Sequence, residues 1–250
     1  IARHGGDRFW YGCLILLMLT MPLLIDDFYL GEISYICILA IAGIGLMILT
    51  GYTGLASLGH AAFLGVGAYT QAFLLTHGVP FYLSIPIVIV VSFLVGAAIG
   101  IPILRLTGMY LAIATLALCF IAEHVFIRWE HFTGGNRGMP VPQPEMLGLS
   151  FYDSATFYYF CLFFLIASML VAINILRSPT GRAFVAIRDS EIAAQSLGVN
   201  LGIYKALSFA ISGAFTGLAG ALLAHYIGYL APDIFNIFLS LTLLLLIVVG

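Results

Sequence analysis

A chain of 250 residues would ordinarily make one or two soluble domains, but here only 8% of residues are charged and 62% are hydrophobic. Mean hydropathy is +1.13. Soluble domains carry roughly a quarter charged residues, so the composition excludes that class and describes a polytopic membrane protein. The net charge of −2 decides nothing by itself; where the charges sit is more informative.

A helical span needs about 20 predominantly apolar residues. In chain order, apolar runs predict spans at 9–25, 33–50, 55–76, 81–104, 106–127, 156–176, 201–227 and 234–250. This gives an all-α membrane protein with about eight transmembrane helices in a single domain over 1–250. The first run has the length of a signal peptide but no small-residue cleavage site, so it reads as a span. The chain starts without Met and stops inside an apolar run. That predicts truncation at both ends and at least one further span beyond Gly250.

With the N-terminus inside and strict alternation, Arg3, Arg8, Arg105, Arg177, Arg182, Arg188 and Lys205 fall on the inner side. Only Arg128 and Arg137 fall outside. Basic residues collect on the inner side of membrane proteins, so this bias sets the orientation.

The segment 51–67, GYTGLASLGHAAFLGVG, has glycines at 51, 54, 59, 65 and 67. Each glycine weakens a helix by about 1 kcal/mol, and in a bilayer a broken helix is tolerated only where it is buried in protein or lines a cavity. Gly51, Gly54, Ser57, Gly59 and His60 are therefore candidates for a break beside a translocation path. Close helix packing with a short loop at the membrane surface explains the same glycines. His60 has no carboxylate or cysteine at ligand spacing, so the expectation is a hydrogen bond that pins the segment, not a metal site.

The four cysteines, Cys13, Cys37, Cys119 and Cys161, each stand alone in an apolar run. Their spacing indicates neither a disulfide framework nor a zinc site. Glu123 and His124 are adjacent ionisable residues within a span, and intramembrane charges are usually functional. Glu123 is thus a second path candidate, although Arg128 lies roughly 8 Å further along the helix and offers an ordinary partner or an exit to the outer surface.

In the outer loop 128–155, TGGNRGMPVPQP alternates Pro140, Pro142 and Pro144, which favours extended chain. It is either a landing surface for a solute-binding protein or a linker. Gly213, Gly217 and Gly220 share one face of the 201–227 span, and Gly96 and Gly100 repeat the spacing. Such spacing allows close helix contact, within the chain or with a partner.

The segment 177–205, RSPTGRAFVAIRDSEIAAQSLGVNLGIYK, is the longest stretch that is neither strongly apolar nor rich in glycine and proline. Pro179 cannot continue the preceding helix. Asp189 or Ser190 can cap a short helix with Glu191 in its first turn. Ala193, Ala194 and Leu197 would share a face, and Gly198 would end the helix. An alanine-faced helix lets a partner approach closely; an ordinary basic loop is the alternative.

The run from Gly181 to Gly198 resembles the cytoplasmic coupling loop of ABC importer permeases for branched-chain amino acids, and A-I-R-D-S-E-I-A-A over 186–194 carries the family's pattern in full. The 51–69 segment matches that family's G-Y-x-G-x-x-S-L-G-H-A-A-F-x-G-x-G-A-Y, and the family also has T-G-G-x-x-G followed by prolines. The resemblance covers nearly the whole chain and is to the second of two homologous permeases. It implies an ABC permease bundle in a bacterial inner membrane, with a coupling helix that docks in a groove on an ATPase. Gly181, Arg182, Ala186, Arg188, Asp189, Glu191, Ala193, Ala194 and Gly198 would serve coupling. The implied partners are a homologous permease, two ABC ATPases, a periplasmic solute-binding protein and the bilayer, with no nucleic acid. The family pattern for 133–144 favours a fixed structure over a floppy tether.

The chain has no G-x-x-x-x-G-K-[ST] loop, and its one lysine is Lys205. It is expected to hold no cofactor or metal, to have no catalytic residues, and to rely on partner subunits for ATP. Urea or short-chain amides are alternative substrates carried by related permeases. An ion-coupled secondary transporter is a further alternative, resting on Glu123 and the 51–67 break.

Overall fold

The computed structural model describes residues 18, 20–22 and 25–249, apart from 104, 105, 107, 144, 147, 148, 151 and 152. Most of the expected 9–25 span lies outside these residues, as do Arg3, Arg8, Cys13 and Arg105. Described residues 18 and 20–22 are helical; after them comes α1 (Asp27–Leu46), which runs on as a π-helical turn, Met47–Tyr52. Then come α2 (His60–Thr76), α3 (Phe81–Ile103) and α4 (Met109–Arg128). A short α5 (Glu130–Thr133) and a 3-10 turn lead into β1 (Met139–Pro140). Two more two-residue strands follow, β2 (Glu145–Met146) and β3 (Leu149–Ser150), paired with each other. The rest is α6 (Ser154–Arg177), α7 (Pro179–Asp189), α8 (Glu191–Ser196), α9 (Leu201–Ile227), β4 (Tyr229–Leu230), a 3-10 turn at Pro232–Phe235 and α10 (Ile237–Val249).

Five of these helical segments are long and apolar enough to cross a membrane: Asp27–Tyr52, Phe81–Pro102, Met109–Arg128, Ser154–Arg177 and Leu201–Ile227. That is fewer than the eight expected. Besides the run outside the described residues, the difference comes from α2 and α10. α10 is a shorter apolar helix over its described length. The predicted 55–76 span shrinks to the 17 residues of α2 because residues 53–59 leave the helix.

α9 is the centre of the bundle and packs against α1, α2 and α3. Lipid is as apolar as a leucine side chain, so helices associate in membranes by close packing more than by the hydrophobic effect. α9 supplies the small residues this requires. A Cβ on Gly220 would strike the Leu64 carbonyl of α2, and one on Gly67 of α2 would strike the Gly217 carbonyl. On the other side, a Cβ on Gly217 would overlap the Ser92 hydroxyl of α3, and one on Gly96 would sit 2.6 Å from the Phe209 carbonyl. The glycine stripe therefore packs within this chain. Asn200 caps α9 by accepting from the Ile203 N–H at 3.2 Å, and Gly228 at φ 74° ends it.

At one end of the bundle β1 pairs with β4 in antiparallel register, Met139 opposite Leu230. The Val141 N–H donates to the Gly228 carbonyl at 2.9 Å, and the Gln143 amide donates to the His225 carbonyl at 3.0 Å. The TGG turn is held by the Thr133 hydroxyl, which bonds the Trp129 carbonyl at 2.9 Å and accepts from the Gly135 N–H at 3.1 Å. Residues 139–143 thus run extended, as the alternating prolines predict, after a folded turn at 133–138. Cys37, Cys119 and Cys161 are free and buried.

Candidate coupling module and buried break

The opposite end of the bundle carries α7 and α8. Pro179 ends α6 as expected and also occupies the first turn of α7, where its missing N–H costs nothing. The sequence places a short helix only after Asp189 or Ser190, but 179–189 is itself an 11-residue amphipathic helix. Gly181, Ala183, Phe184 and Ile187 are its buried stripe. Gly181 lies so close to the Leu176 carbonyl that a Cβ there would clash. Arg182 points outward, with its guanidinium 3.4 Å from the Arg177 carbonyl, and Ala186 is half-buried.

Ser190 separates the two helices and caps α8, its hydroxyl accepting from the Ala193 N–H at 3.3 Å. Gly198 follows at φ 85°, a left-handed conformation that glycine adopts without strain. Both features match the expected cap and stop.

The orientation of α8 differs from the expectation. Ala194 is 1% exposed and packs into its own chain, so it offers nothing to a partner's groove. Ile192 and Leu197 stand outward at 81% and 82% exposure, with Ala193 also exposed between them. The roll is set by Glu191, whose carboxylate pairs with the Lys205 ammonium of α9 at 2.7 Å. Lys205 is only 4% exposed, so this pair ties α8 to the bundle core.

Arg188 joins two groups of residues that lie far apart in sequence. Its Nη1 donates to the Gly51 carbonyl at 3.0 Å, and its side chain crosses Gly54, where a Cβ would sit 3.0 Å from the arginine Cγ. Gly54 bends the chain at φ 76°. Asp189, beside it, is exposed and 3.3 Å from the guanidinium, a pairing worth little at a surface.

Beyond that bend, residues 53–59 run without helical structure while Thr53, Leu55, Ser57 and Gly59 are buried. Alternate residues of the break thus face into the protein, while Gly51 and Gly54 are exposed. Its polar groups are satisfied from α4 and α9. The Leu58 N–H donates to the Thr115 hydroxyl at 2.9 Å. His60 is fully buried, with Nδ1 3.1 Å from the Ser57 hydroxyl and Nε2 2.7 Å from the Ser212 hydroxyl. The pinning hydrogen bond expected of His60 is present on both ring nitrogens. A Cβ on Gly59 would strike the Thr115 carbonyl, and the Ala61 N–H donates to Ser240 of α10 at 2.8 Å.

Glu123 does not join this cluster. It lies two turns beyond Thr115 on α4, roughly 12 Å at helical rise, and is half-buried. No ion pair links it to Arg128 among the described residues. Nor do the described residues contain a group of three or more His, Cys, Asp or Glu that could hold a metal ion.

Sequence reasoning missed Ser212, Thr115 and Ser240, which are single hydroxyls in apolar runs and gave no local signal. Phe184 was legible: with Ala183 and Ile187 it forms an apolar face at helical spacing.

Membrane-length helices packed around a glycine-rich central helix, a part-buried break, and a small amphipathic module at one end describe a multi-pass helical membrane protein. The chain belongs to the family described as branched-chain amino acid transport system / permease component, whose model matches residues 29–250. It is 33% identical, over 95% of its length, to the high-affinity branched-chain amino acid transport system permease protein LivM of Salmonella typhimurium. It is 34% identical over the same share to LivM of Escherichia coli K12. The chain spans 62% of the length of each of these relatives. A more distant similarity, 26% over 47% of this chain and 33% of the relative, is to the autoinducer 2 import system permease protein LsrC of Salmonella paratyphi B. No solved structure matches the chain.

Proposed function

We propose that this chain is the membrane-spanning permease subunit of an ATP-driven importer for branched-chain amino acids, leucine, isoleucine and valine, in a bacterial inner membrane. It works beside a homologous permease, two ABC ATPases that bind and hydrolyse ATP, and a periplasmic solute-binding protein. The observation that carries this reading is the similarity to two permeases of high-affinity branched-chain amino acid systems along 95% of the chain. The geometry supports it. α8 presents Ile192, Ala193 and Leu197 outward on a short helix anchored by the Glu191–Lys205 pair, as a docking element must.

In this reading ATP-driven closure of the ATPases displaces α7 and α8. Coupling needs only that the ATPase states contact these helices differently. The part-buried break at 53–59, with Gly51, Gly54, Ser57, Gly59 and His60, is the part of the chain beside the path. Glu123, in no ion pair among the described residues and remote from the break, gives an ion-coupled mechanism little to work with.

The test is uptake of labelled leucine by cells that lack their own branched-chain importers and express this chain with its partner subunits. Excess unlabelled isoleucine and valine should each suppress the uptake, whereas urea and acetamide should not. Uptake of urea or an amide in place of leucine would move the substrate to the alternative class.

A further inference from the structure

The π-helical turn Met47–Tyr52 is the place where the buried break meets α1. π turns close i→i+5 bonds, occur mostly as single turns within α-helices and are frequent at functional sites. This turn is gripped at both ends by α7. At its start, Ile48 shares a buried cluster with Phe184 of α7, Phe215 of α9 and Ala172 of α6. At its end, the Gly51 carbonyl accepts from Arg188, one helical turn beyond Phe184 on the same face. Below the turn, Thr53 N–H and hydroxyl both bond the Ile48 carbonyl, at 3.2 and 3.0 Å, and Leu55 N–H reaches back to Leu49 at 3.1 Å. The turn is thus a compact unit held between the polar module and the apolar faces of α6 and α9.

We propose that Arg188 and Phe184 are positioning residues that transmit displacement of α7 to the π turn at 47–52, and so to the buried break that follows it. The proposal rests on the reading that this chain works with ATP-hydrolysing subunits. It assigns Arg188 an intrachain role in place of contact with a partner. Gly54 completes the device, because only a residue without a side chain lets the arginine stem lie across the backbone there. Asp189 has no part in it: its contact with Arg188 is exposed.

The test uses the complete reconstituted transporter, with Thr50→Cys as a reporter and the four native cysteines replaced. The labelling rate of the reporter by a small maleimide is compared between the nucleotide-free and ATP-trapped states. The expected ratio between states is about fivefold or more, within the ordinary range for coupled sites. Arg188→Met should bring the ratio close to one while nucleotide binding to the ATPases is unchanged. Arg188→Lys, which can still donate to Gly51, should restore most of it. A merely structural role for Arg188 would not move this ratio in a complex that stays assembled. A ratio retained in Arg188→Met overturns the proposal, as does a transporting complex whose reporter never responds to nucleotide. A chain that forms no ATP-hydrolysing complex overturns the functional reading and this proposal together, and uptake measured in parallel distinguishes that case.

Discussion

Lys205 and Glu191 show how burial makes the two halves of an ion pair unequal. The ammonium is 4% exposed, whereas the carboxylate side chain keeps 37% of its surface in solvent. Removing the lysine leaves a carboxylate that water can reach. Removing the glutamate leaves a buried charge without a partner, the expensive case. Glu191→Ala should therefore loosen the 190–200 segment by about 2 kcal/mol, below the value for a fully buried pair, and Lys205→Met by less than about 1 kcal/mol. Limited proteolysis of the purified protein in that segment reads both changes. Equal sensitivity in the two variants would mean that the pair does not anchor α8. Much of this corner was legible in the sequence: Ser190 as cap and Gly198 as stop follow from local chemistry alone. The roll of α8 was not legible, because Ala193, Ala194 and Leu197 are related by helical spacing whichever side faces the bundle. Only the Glu191–Lys205 contact decides, and it joins elements that are separate in the chain.

At the scale of elements, hydropathy located the long helices well. α9 occupies the expected bounds because Asn200 and Gly228 punctuate it as sharply as its apolar content does. α2 starts at His60 and not at 55 because Leu55 and Ala56 are apolar yet lie in the break, and hydropathy does not register backbone conformation. α7 went unread for the converse reason: its mean polarity suggested a loop although its apolar residues keep helical spacing. The glycine stripe of α9 yields a ranked prediction. Gly67→Ala drives a methyl group into the Gly217 backbone carbonyl, which has nowhere to go. Gly217→Ala meets only the Ser92 side chain. Overpacking of this kind typically costs about 1–3 kcal/mol, so both should lower the melting temperature of the detergent-purified protein. Adding Ser92→Gly should recover most of the loss in Gly217→Ala and none in Gly67→Ala. Recovery in both, or in neither, would contradict the packing of α9 between α2 and α3.

Across the whole molecule the two ends have different characters. One holds β1 against β4 and the Gln143–His225 bond; the other holds α7, α8, Lys205 and the Gly51–Gly54 bend. Both halves of each contact fall at one end of the bundle, as alternate crossing of the membrane requires whichever end faces inward. The end bearing Arg177, Arg182, Arg188 and Lys205 is the cytoplasmic one under the basic-residue bias. The central claim is that α8 at this end is where an ATPase engages the permease. ATP hydrolysis by the purified complex, measured with and without leucine-loaded binding protein, tests it most directly. Ile192→Asp with Leu197→Asp places charge on the two outward apolar side chains without touching the buried Ala194 or the Glu191–Lys205 pair. The account predicts that this variant is inserted normally but loses the stimulation of hydrolysis and the uptake of leucine together. Full stimulation and normal uptake in the double variant would contradict it.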